Sequence, residues 1–239
     1  MRWRRLLDGL WGVWLPEACA ACDQVLGEGG ELFCPGCEAQ VLEVPGATCR
    51  RCGEPGAFPG GRCGRCRARP PAFATAWAAF EHEGAVARAV HRFKYLDRSD
   101  LARPLAMAVA RRWPARLAAE GQVLVPVPLH AARFRQRRYD QAALLAVHLG
   151  RALGLPVELD WLTRVRDTPR QVGLDEWQRE DNVARAFAAS GPVAGRRVLV
   201  VDDVLTTGAT AQEAAATLSG AGAEAVAVAT VARARRAQP

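Results

Sequence analysis

The chain has 239 residues, half of them apolar, and a formal net charge of +7 at pH 7. This length accommodates one substantial hydrophobic core and a small additional module. No stretch of sequence is long and apolar enough to cross a bilayer, so we expect no transmembrane segment.

Residues 1–16 combine arginines with leucines and tryptophans at helical spacing. The large apolar residues fall on one face: Trp3, Leu7, Leu10 and Trp14. This pattern predicts an amphipathic helix, whereas Asp8 and the lack of a small-residue cleavage site argue against a targeting signal. Two roles are open: residues 1–15 bind a membrane surface or a partner, or the helix packs on the chain's own domains, which we favour.

All eight cysteines occur in Cys-x-x-Cys pairs within the first 66 residues. The pairs are Cys19/Cys22, Cys34/Cys37, Cys49/Cys52 and Cys63/Cys66. Two such pairs complete a tetrahedral metal site, so the spacing predicts two structural Zn²⁺ sites in consecutive ribbons, although interleaved ligands also fit. Disulfides or redox pairs are less well supported, because nothing indicates secretion and the motif occurs four times.

The charges of this cysteine-containing module are unevenly distributed. Residues 17–46 contain six acidic residues and no Lys or Arg, whereas residues 47–71 contain six arginines and only Glu54 as an acid. The basic half could bind a phosphate backbone, or the charges could be solvated, or the two ribbons could pair their charges with each other. Each Zn(Cys)₄ site carries about −2, which lowers the net charge to about +3 and makes it weak evidence for nucleic-acid binding.

After Pro71 the cysteines stop and strand and helix patterns alternate. Strands are predicted near 75–81, 123–127, 157–160, 197–202 and 224–231, and helices near 84–95, 99–118, 139–153 and 209–221. This alternation predicts an α/β fold with a mostly parallel sheet and ligands at the carboxyl ends of the strands. We therefore expect an N-terminal helix over 1–16, a double zinc ribbon over 17–70 and an α/β domain over 72–236.

Residues 198–210, Val-Leu-Val-Val-Asp-Asp-Val-Leu-Thr-Thr-Gly-Ala-Thr, indicate a sugar-phosphate site. The backbone amides of a loop between a strand and a helix bind anions, and Gly208 permits close approach of a phosphate. Asp202 and Asp203 can accept hydrogen bonds from ribose hydroxyls or from waters around Mg²⁺. A plain strand and turn fits poorly, because adjacent strand residues face opposite sides and one carboxylate would be costly to desolvate.

A second anion-binding segment, which we expect to be a loop, follows the apolar run 123–127. Its four arginines can clamp phosphates in bidentate fashion: Arg133, Arg135, Arg137 and Arg138. A solvated basic loop, or a nucleic-acid patch with Phe134 and Tyr139 available for stacking, is the alternative. The neighbouring Asp-Asp loop favours a shared site.

Two further segments are candidates for the same cleft. Residues 164–187 form a long polar connection typical of a lid, with Thr168, Gln171, Arg179 and Asn182 as candidate contacts or, equally, as local capping or surface residues. On the helix after the first strand, His91, Lys94 and Tyr95 can face the cleft, although a solvated helix face is favoured.

The combined features resemble the ComF/GntX family, and residues 198–210 resemble the phosphoribosyl pyrophosphate signature of type I phosphoribosyltransferases. The likeness covers essentially the whole chain and is carried by these motifs: the four Cys-x-x-Cys pairs, Arg92-Phe-Lys-Tyr95, Val125-Pro-Val-Pro-Leu-His130, Arg135 to Gln141, the Thr168/Gln171/Leu174/Arg179/Asn182/Phe187 spacing and the Asp-Asp loop. Where the family usually reads Arg-x-Arg-Gly-Phe-Asn-Gln, this chain has Arg138 for Gly and Asp140 for Asn.

The resemblance implies a type I phosphoribosyltransferase fold in which Asp202 and Asp203 hold the ribose hydroxyls and Mg²⁺, and Arg137 contacts the pyrophosphate. The remaining residues assigned to the ligand are Val204, Leu205, Thr206, Thr207, Gly208, Ala209, Thr210, Pro128, Leu129, His130, Arg135, Arg138, Gln171 and Lys94. Of these, the resemblance assigns residues 206–210 to the 5′-phosphate.

Members of the family are associated with natural competence and with growth on DNA. The resemblance implies a cytoplasmic protein, associated with the inner face of the membrane, that binds phosphoribosyl pyrophosphate or a nucleotide. It would assist the uptake and processing of single-stranded DNA, with that DNA and a DNA-uptake helicase as partners. The alternative is an active phosphoribosyltransferase that joins an amine or a nucleobase to ribose 5-phosphate. The sequence does not decide between a binding module and an enzyme.

Overall fold

The computed structural model describes residues 18–27, 32–115, 117, 123–166 and 185–235. The strands are β1 (Thr75–Glu81), β2 (Val123–Pro126), β3 (Leu162–Arg164), β4 (Phe187–Ala189), β5 (Arg197–Leu205) and β6 (Ala225–Arg233). The helices are α1 (Pro35–Glu38), α2 (Gly64–Ala68), α3 (Gly84–Tyr95), α4 (Ala102–Arg111), α5 (Ala131–Arg137), α6 (Gln141–Leu153) and α7 (Ala209–Gly220), with 3₁₀ turns at Pro59–Gly61 and Ser99–Leu101.

Four strands form one parallel sheet in the order β1-β6-β5-β2, and β3 pairs with β4 in a separate antiparallel ribbon. Alternate residues of β5 face opposite layers, as the two-residue period of a strand requires. Leu199 and Val201 pack with α3, α4 and α6, whereas Val198 and Val200 pack with α7. The predicted α/β class with a mostly parallel sheet is therefore confirmed.

One predicted strand and one predicted helix differ from the structure. The strand predicted over 157–160 is wrong: Val157 makes an isolated parallel bridge to Leu124, and the next strand is β3. The exposed Leu159 shows why, since this segment turns away from the sheet after its first residues. The helix predicted over 99–118 is a 3₁₀ turn followed by α4, which ends shortly before Pro114, as a proline requires.

The arginine-rich segment, predicted as a loop, is in fact helix α5, which ends at Arg138 in a left-handed conformation. None of the helices in the described part of the chain is long and apolar enough to span a membrane. The predicted helix over 1–16 and the lid contacts Thr168, Gln171, Arg179 and Asn182 lie outside the described residues. The three unit boundaries therefore stay predictions.

Candidate functional site

The eight cysteines form two consecutive tetrads. One contains Cys19, Cys22, Cys34 and Cys37, and the other contains Cys49, Cys52, Cys63 and Cys66. Within each tetrad the sulfur atoms lie within 4.8 Å of one another, so the pairing in sequence order is confirmed and the interleaved alternative is wrong. We call residues 18–46 the first ribbon and residues 47–70 the second ribbon.

The thiol chemistry of each tetrad fits a structural Zn²⁺ ion. Burial raises the pKa of Cys49 and Cys19, but hydrogen bonds from backbone amides outweigh burial. The pKa of each of these two thiols is therefore lowered to about 7. Burial raises the pKa of Cys37 to about 12 and that of Cys52 to about 11. Without a cation Cys37 and Cys52 would thus stay protonated at neutral pH, whereas a Zn²⁺ ion would stabilise all four sulfurs of a tetrad as thiolates.

The acidic first ribbon pairs its charges with arginines of the α/β domain. Asp23 forms ion pairs with Arg92 of α3 and with Arg98, and Glu43 lies 2.8 Å from Arg112. These two acids therefore pair with arginines of the α/β domain and not with the second ribbon, which was the pairing that the sequence left open.

A cleft of about 760 Å³ opens at the carboxyl ends of the parallel strands. β5 and the loop after it supply Asp202, Asp203 and part of residues 204–211, while β2 is followed by Pro128 and Leu129. The remaining lining residues are His82, Lys94, Tyr95, Asp97, Val127, Arg133, Arg137, Arg138, Asp140, Gln141, Ala142, Arg164 and Thr230. The cleft thus brings the Asp-Asp loop and the arginine segment together.

A lysine from α3 binds the acidic pair. The Lys94 ammonium lies 2.8 Å from Oδ1 of Asp203, whose side chain is 9% exposed, and the Asp203 amide donates to Oδ1 of Asp202 at 2.8 Å. Burial and the Asp203 carboxylate raise the pKa of Asp202 to about 8. Burial opposes the charge on Lys94, but the two carboxylates outweigh it and raise the lysine's pKa. The solvated helix face favoured for Lys94 is therefore wrong.

The arginine segment is held by contacts with α3 and α6. The Arg137 guanidinium lies 4.8 Å from the centre of the Tyr95 ring and donates to Oε1 of Gln141 at 3.0 Å. Asp140 accepts from the amides of Leu129 at 2.8 Å and Ala143 at 3.0 Å, which caps α6. Burial raises the pKa of Asp140. The two amides use different oxygens of the carboxylate, so Asn, which the family pattern has at this position, could cap α6 with its one acceptor oxygen but could not accept from both amides in the same way.

Arg138 adopts φ +65°, the left-handed conformation that favours glycine after a helix. A residue with a side chain costs about 1 kcal/mol there relative to glycine. The family's usual glycine suits this backbone, and the exposed Arg138 instead adds a positive charge at the cleft.

Most of the predicted ligand residues line the cleft, but four lie elsewhere. Thr207 and Ala209 line a smaller cavity of about 210 Å³ beside the second ribbon. His130 caps α5, its Nδ1 accepting from the Ala132 amide at 3.3 Å, and the exposed Arg135 is not among the lining residues. Gln171 lies outside the described residues.

Several residues that line the cleft were not predicted as ligand residues from the sequence: His82, Asp97, Gln141, Arg164 and Thr230. His82 directly follows β1, so the rule that ligands lie at the carboxyl ends of parallel strands could have found it. Burial lowers the pKa of His82, and the Lys94 charge acts in the same direction. Thr230 aligns with Asp202 in the register of β5 and β6, which only the sheet order reveals.

Comparisons with known proteins agree with this architecture. The family model of the phosphoribosyl transferase domain matches residues 140–239, and that of the double zinc ribbon domain matches residues 10–67. DNA utilization protein YhgH of Salmonella typhimurium is 32% identical over 218 residues, or 90% of this chain and 96% of that protein. Competence protein F of Haemophilus influenzae is 32% identical over 210 residues, or 84% and 90% of the two chains.

Among solved structures, the glutamine phosphoribosyl pyrophosphate amidotransferase of B. subtilis, complexed with ADP and GMP, is 27% identical with a TM-score of 0.40. The match covers 57% of this chain and 29% of that one. Fold and motifs together define a double zinc ribbon joined to a phosphoribosyltransferase-type domain. The chain belongs to the ComF/GntX family, which confirms the resemblance noted in its sequence.

Proposed function

We propose that the cleft binds phosphoribosyl pyrophosphate or a nucleotide, and that the protein assists the uptake and processing of single-stranded DNA. The observation that carries the ligand proposal is the convergence of an acidic pair, a loop before a helix and several arginines on one cleft. These groups match the three chemical parts of a pyrophosphorylated ribose phosphate: hydroxyls, a terminal phosphate and a second anionic end.

Each part of the cleft has a distinct task in this proposal. Asp202 and Asp203 accept hydrogen bonds from ribose hydroxyls, and the loop residues that line the cleft hold the 5′-phosphate at the start of α7: Thr206, Gly208 and Thr210. Arg137, held by Tyr95 and Gln141, faces the pyrophosphate. The carboxylates also suit Mg²⁺, which would arrive with the ligand and neutralise its pyrophosphate.

Isothermal titration calorimetry with phosphoribosyl pyrophosphate, with and without Mg²⁺, tests this assignment. We expect Asp202→Asn/Asp203→Asn to weaken binding at least tenfold, because each Asn side chain offers the ribose hydroxyls one acceptor oxygen where the carboxyl group offers two. Asp160→Asn, an exposed acid outside the cleft lining, should bind as the wild type does. Absence of binding by the wild-type protein would contradict the proposal.

The role in DNA uptake is supported by the names of the relatives and by exposed arginines on the second ribbon and on α5. Arg50 and Arg62 are exposed on the ribbon, as is Arg135 on α5. Counterion release from such groups supplies affinity for single strands. We place the protein in the cytoplasm at the inner face of the membrane, where incoming strands and a helicase partner would be met.

Fluorescence anisotropy with a labelled single strand tests the DNA role. Arg50→Ala/Arg62→Ala and, separately, Arg135→Ala/Arg138→Ala should each weaken binding and reduce its salt dependence. Arg103→Ala on α4, an exposed arginine outside both groups, is the control. Single-strand affinity unchanged in both double variants would contradict direct DNA binding.

The second candidate is an active transferase, favoured by the size of the cleft. At about 760 Å³ it has room for a donor and an acceptor together. The protein would then contribute positioning and electrostatic stabilisation of a cationic ribose centre. Pyrophosphate release with a panel of amines and nucleobases would establish the transferase, whereas tight binding without release would favour the binding module.

A further inference from the structure

The second ribbon packs directly against the loop assigned to the 5′-phosphate. The cavity of about 210 Å³ lies between them and is lined on one side by Cys52 and Cys66 and on the other by Thr207 and Ala209. The Ala72 amide, just beyond the ribbon, donates to Oε1 of Gln212 on α7 at 2.6 Å. A zinc site and a phosphate loop thus lie on opposite walls of one small space.

One link between them is Arg65. It lies in the knuckle between the ligands Cys63 and Cys66, so metal binding fixes its backbone. Its half-buried side chain reaches out of the ribbon and Nη1 donates to the Thr207 carbonyl at 3.2 Å. The hydrogen bond is charge-assisted and therefore stronger than one between neutral groups.

The second link is Arg233, which is 1% exposed. Its Nη1 donates to the carbonyl of the zinc ligand Cys52 at 2.8 Å, and its Nη2 forms an ion pair with Glu54. Arg233 ends β6 in register with Leu205, the last residue before the loop, and the Ala234 amide donates to the Leu205 carbonyl at 3.0 Å. The start of the loop is thus attached to the ribbon through the sheet.

The Arg65 bond also determines how the loop presents its amides. In a trans peptide the carbonyl and the following N–H point in opposite directions. When Arg65 holds the Thr207 carbonyl toward the ribbon, the N–H of Gly208 points away from the ribbon, and Gly208 lines the main cleft as well as the smaller cavity. Gly208 adopts φ +87° as the N-cap of α7, so this peptide stands where an anion meets the helix.

We propose that the second ribbon is a positioning element of the phosphate site, and that Arg65 is the residue through which it orients the loop. The inference rests on the proposed ligand of the cleft. The ribbon thereby becomes part of the ligand site as well as of the fold. The first ribbon contacts α3 through Asp23 and the end of α4 through Glu43, and its cysteines pack in a different hydrophobic cluster from the one that contains the second tetrad and Leu205.

The test compares Arg65→Ala with Arg67→Ala in the full-length, zinc-loaded protein. Arg67 is an exposed arginine two residues further along α2, which makes it a matched control. Hydrogen exchange of amides 205–212 and calorimetry with phosphoribosyl pyrophosphate are measured together, and metal analysis should give two Zn²⁺ per chain in both variants.

Arg65→Ala should exchange these amides several-fold faster and bind about tenfold more weakly, as expected for one charge-assisted hydrogen bond. Arg65→Lys should recover part of both losses, and Arg67→Ala should match the wild type. Equal exchange and equal affinity in Arg65→Ala and Arg67→Ala would overturn the proposal. If the wild type binds no ribose phosphate, the ligand assignment fails, whereas the exchange comparison still tests positioning by Arg65.

Discussion

The two zinc ribbons share a ligand pattern but attach to the α/β domain by different chemistry. The first ribbon uses ion pairs that leave Asp23 about half exposed, on the layer of α3 and α4. The second ribbon uses the buried Arg233 and the Arg65 bond, on the layer of α7. The first ribbon is therefore attached at the surface of the α/β domain, whereas the second ribbon forms part of the ligand site.

The largest expected difference concerns loss of one metal site. Cys63→Ser/Cys66→Ser removes two ligands of the second tetrad and frees Arg65, so phosphoribosyl pyrophosphate affinity should fall by at least tenfold. Cys34→Ser/Cys37→Ser removes two ligands of the first tetrad, and affinity should stay within about threefold, since α3 keeps its packing on the sheet. Calorimetry measures the ligand affinity of both variants, and metal analysis confirms the loss of one Zn²⁺ in each. Equal losses of affinity would contradict the different roles assigned to the two ribbons.

The next effect is on stability. Arg233→Met removes the buried ion pair with Glu54 and the hydrogen bond to the Cys52 carbonyl, which should lower the free energy of unfolding by about 3 kcal/mol. Arg67→Met, an exposed change in the same ribbon, should cost less than about 0.5 kcal/mol. Urea denaturation measures the two values, and similar values would mean that Arg233 contributes no buried link.

A smaller effect is expected at Asp140, on the side of the cleft formed by α5 and α6. Burial raises the pKa of Asp140 in the folded state above its ordinary value of 3.8, so the unfolded chain loses this proton first as the pH rises. The contribution of the protonated Asp140 to the free energy of unfolding is therefore lost as the pH rises from about 4 to the raised pKa of the folded state. Asp140→Asn should flatten the pH dependence of urea unfolding in this window.

The same substitution removes a negative charge from an anion site, so we expect phosphoribosyl pyrophosphate to bind about two- to threefold more tightly. Both ribbons keep their contacts in this variant, so Arg65→Ala should cost it the same factor as it costs the wild type. Calorimetry on the two single variants and the double variant gives the coupling free energy between Asp140 and Arg65 for ligand binding. A large coupling free energy would show that the two sides of the cleft are not independent.

The smallest effect belongs to the first ribbon. Asp23→Asn weakens its ion pairs with Arg92 and Arg98, and since Asp23 is about half exposed, the cost should be about 0.5 kcal/mol. The difference from wild type should shrink in 1 M salt, where exposed pairs are screened. Urea unfolding at two salt concentrations measures this, and a cost as large as that of Arg233→Met would erase the contrast between the ribbons.

Local patterns predicted much of this architecture. The Cys-x-x-Cys spacing predicted both tetrads, and the apolar run ending in Asp202 and Asp203 predicted the strand and loop of the site, because ligand spacing and strand periodicity are local properties. The side chains that join the ribbons to the domain were not predictable in this way. Arg65 and Thr207 are 142 residues apart in sequence, and no local pattern indicates that they meet.

Lys94 illustrates the same limit. A lysine on a helix with polar neighbours is predicted from sequence to be solvated. Lys94 contacts Asp203 only because α3 lies beside the end of β5 in the folded chain. The arginine segment was misjudged for a different reason: its composition suggests a loop, whereas the cap by His130 and the left-handed Arg138 define a short helix. Long-range packing decided the first case, and capping decided the second.

Hydrogen exchange of amides 205–212, with and without phosphoribosyl pyrophosphate, tests most directly the claim that the second ribbon and the phosphate loop act as one unit. The account predicts that the ligand protects these amides in the wild type and in Cys34→Ser/Cys37→Ser, but gives little protection in Cys63→Ser/Cys66→Ser. Equal protection in all three proteins would contradict it.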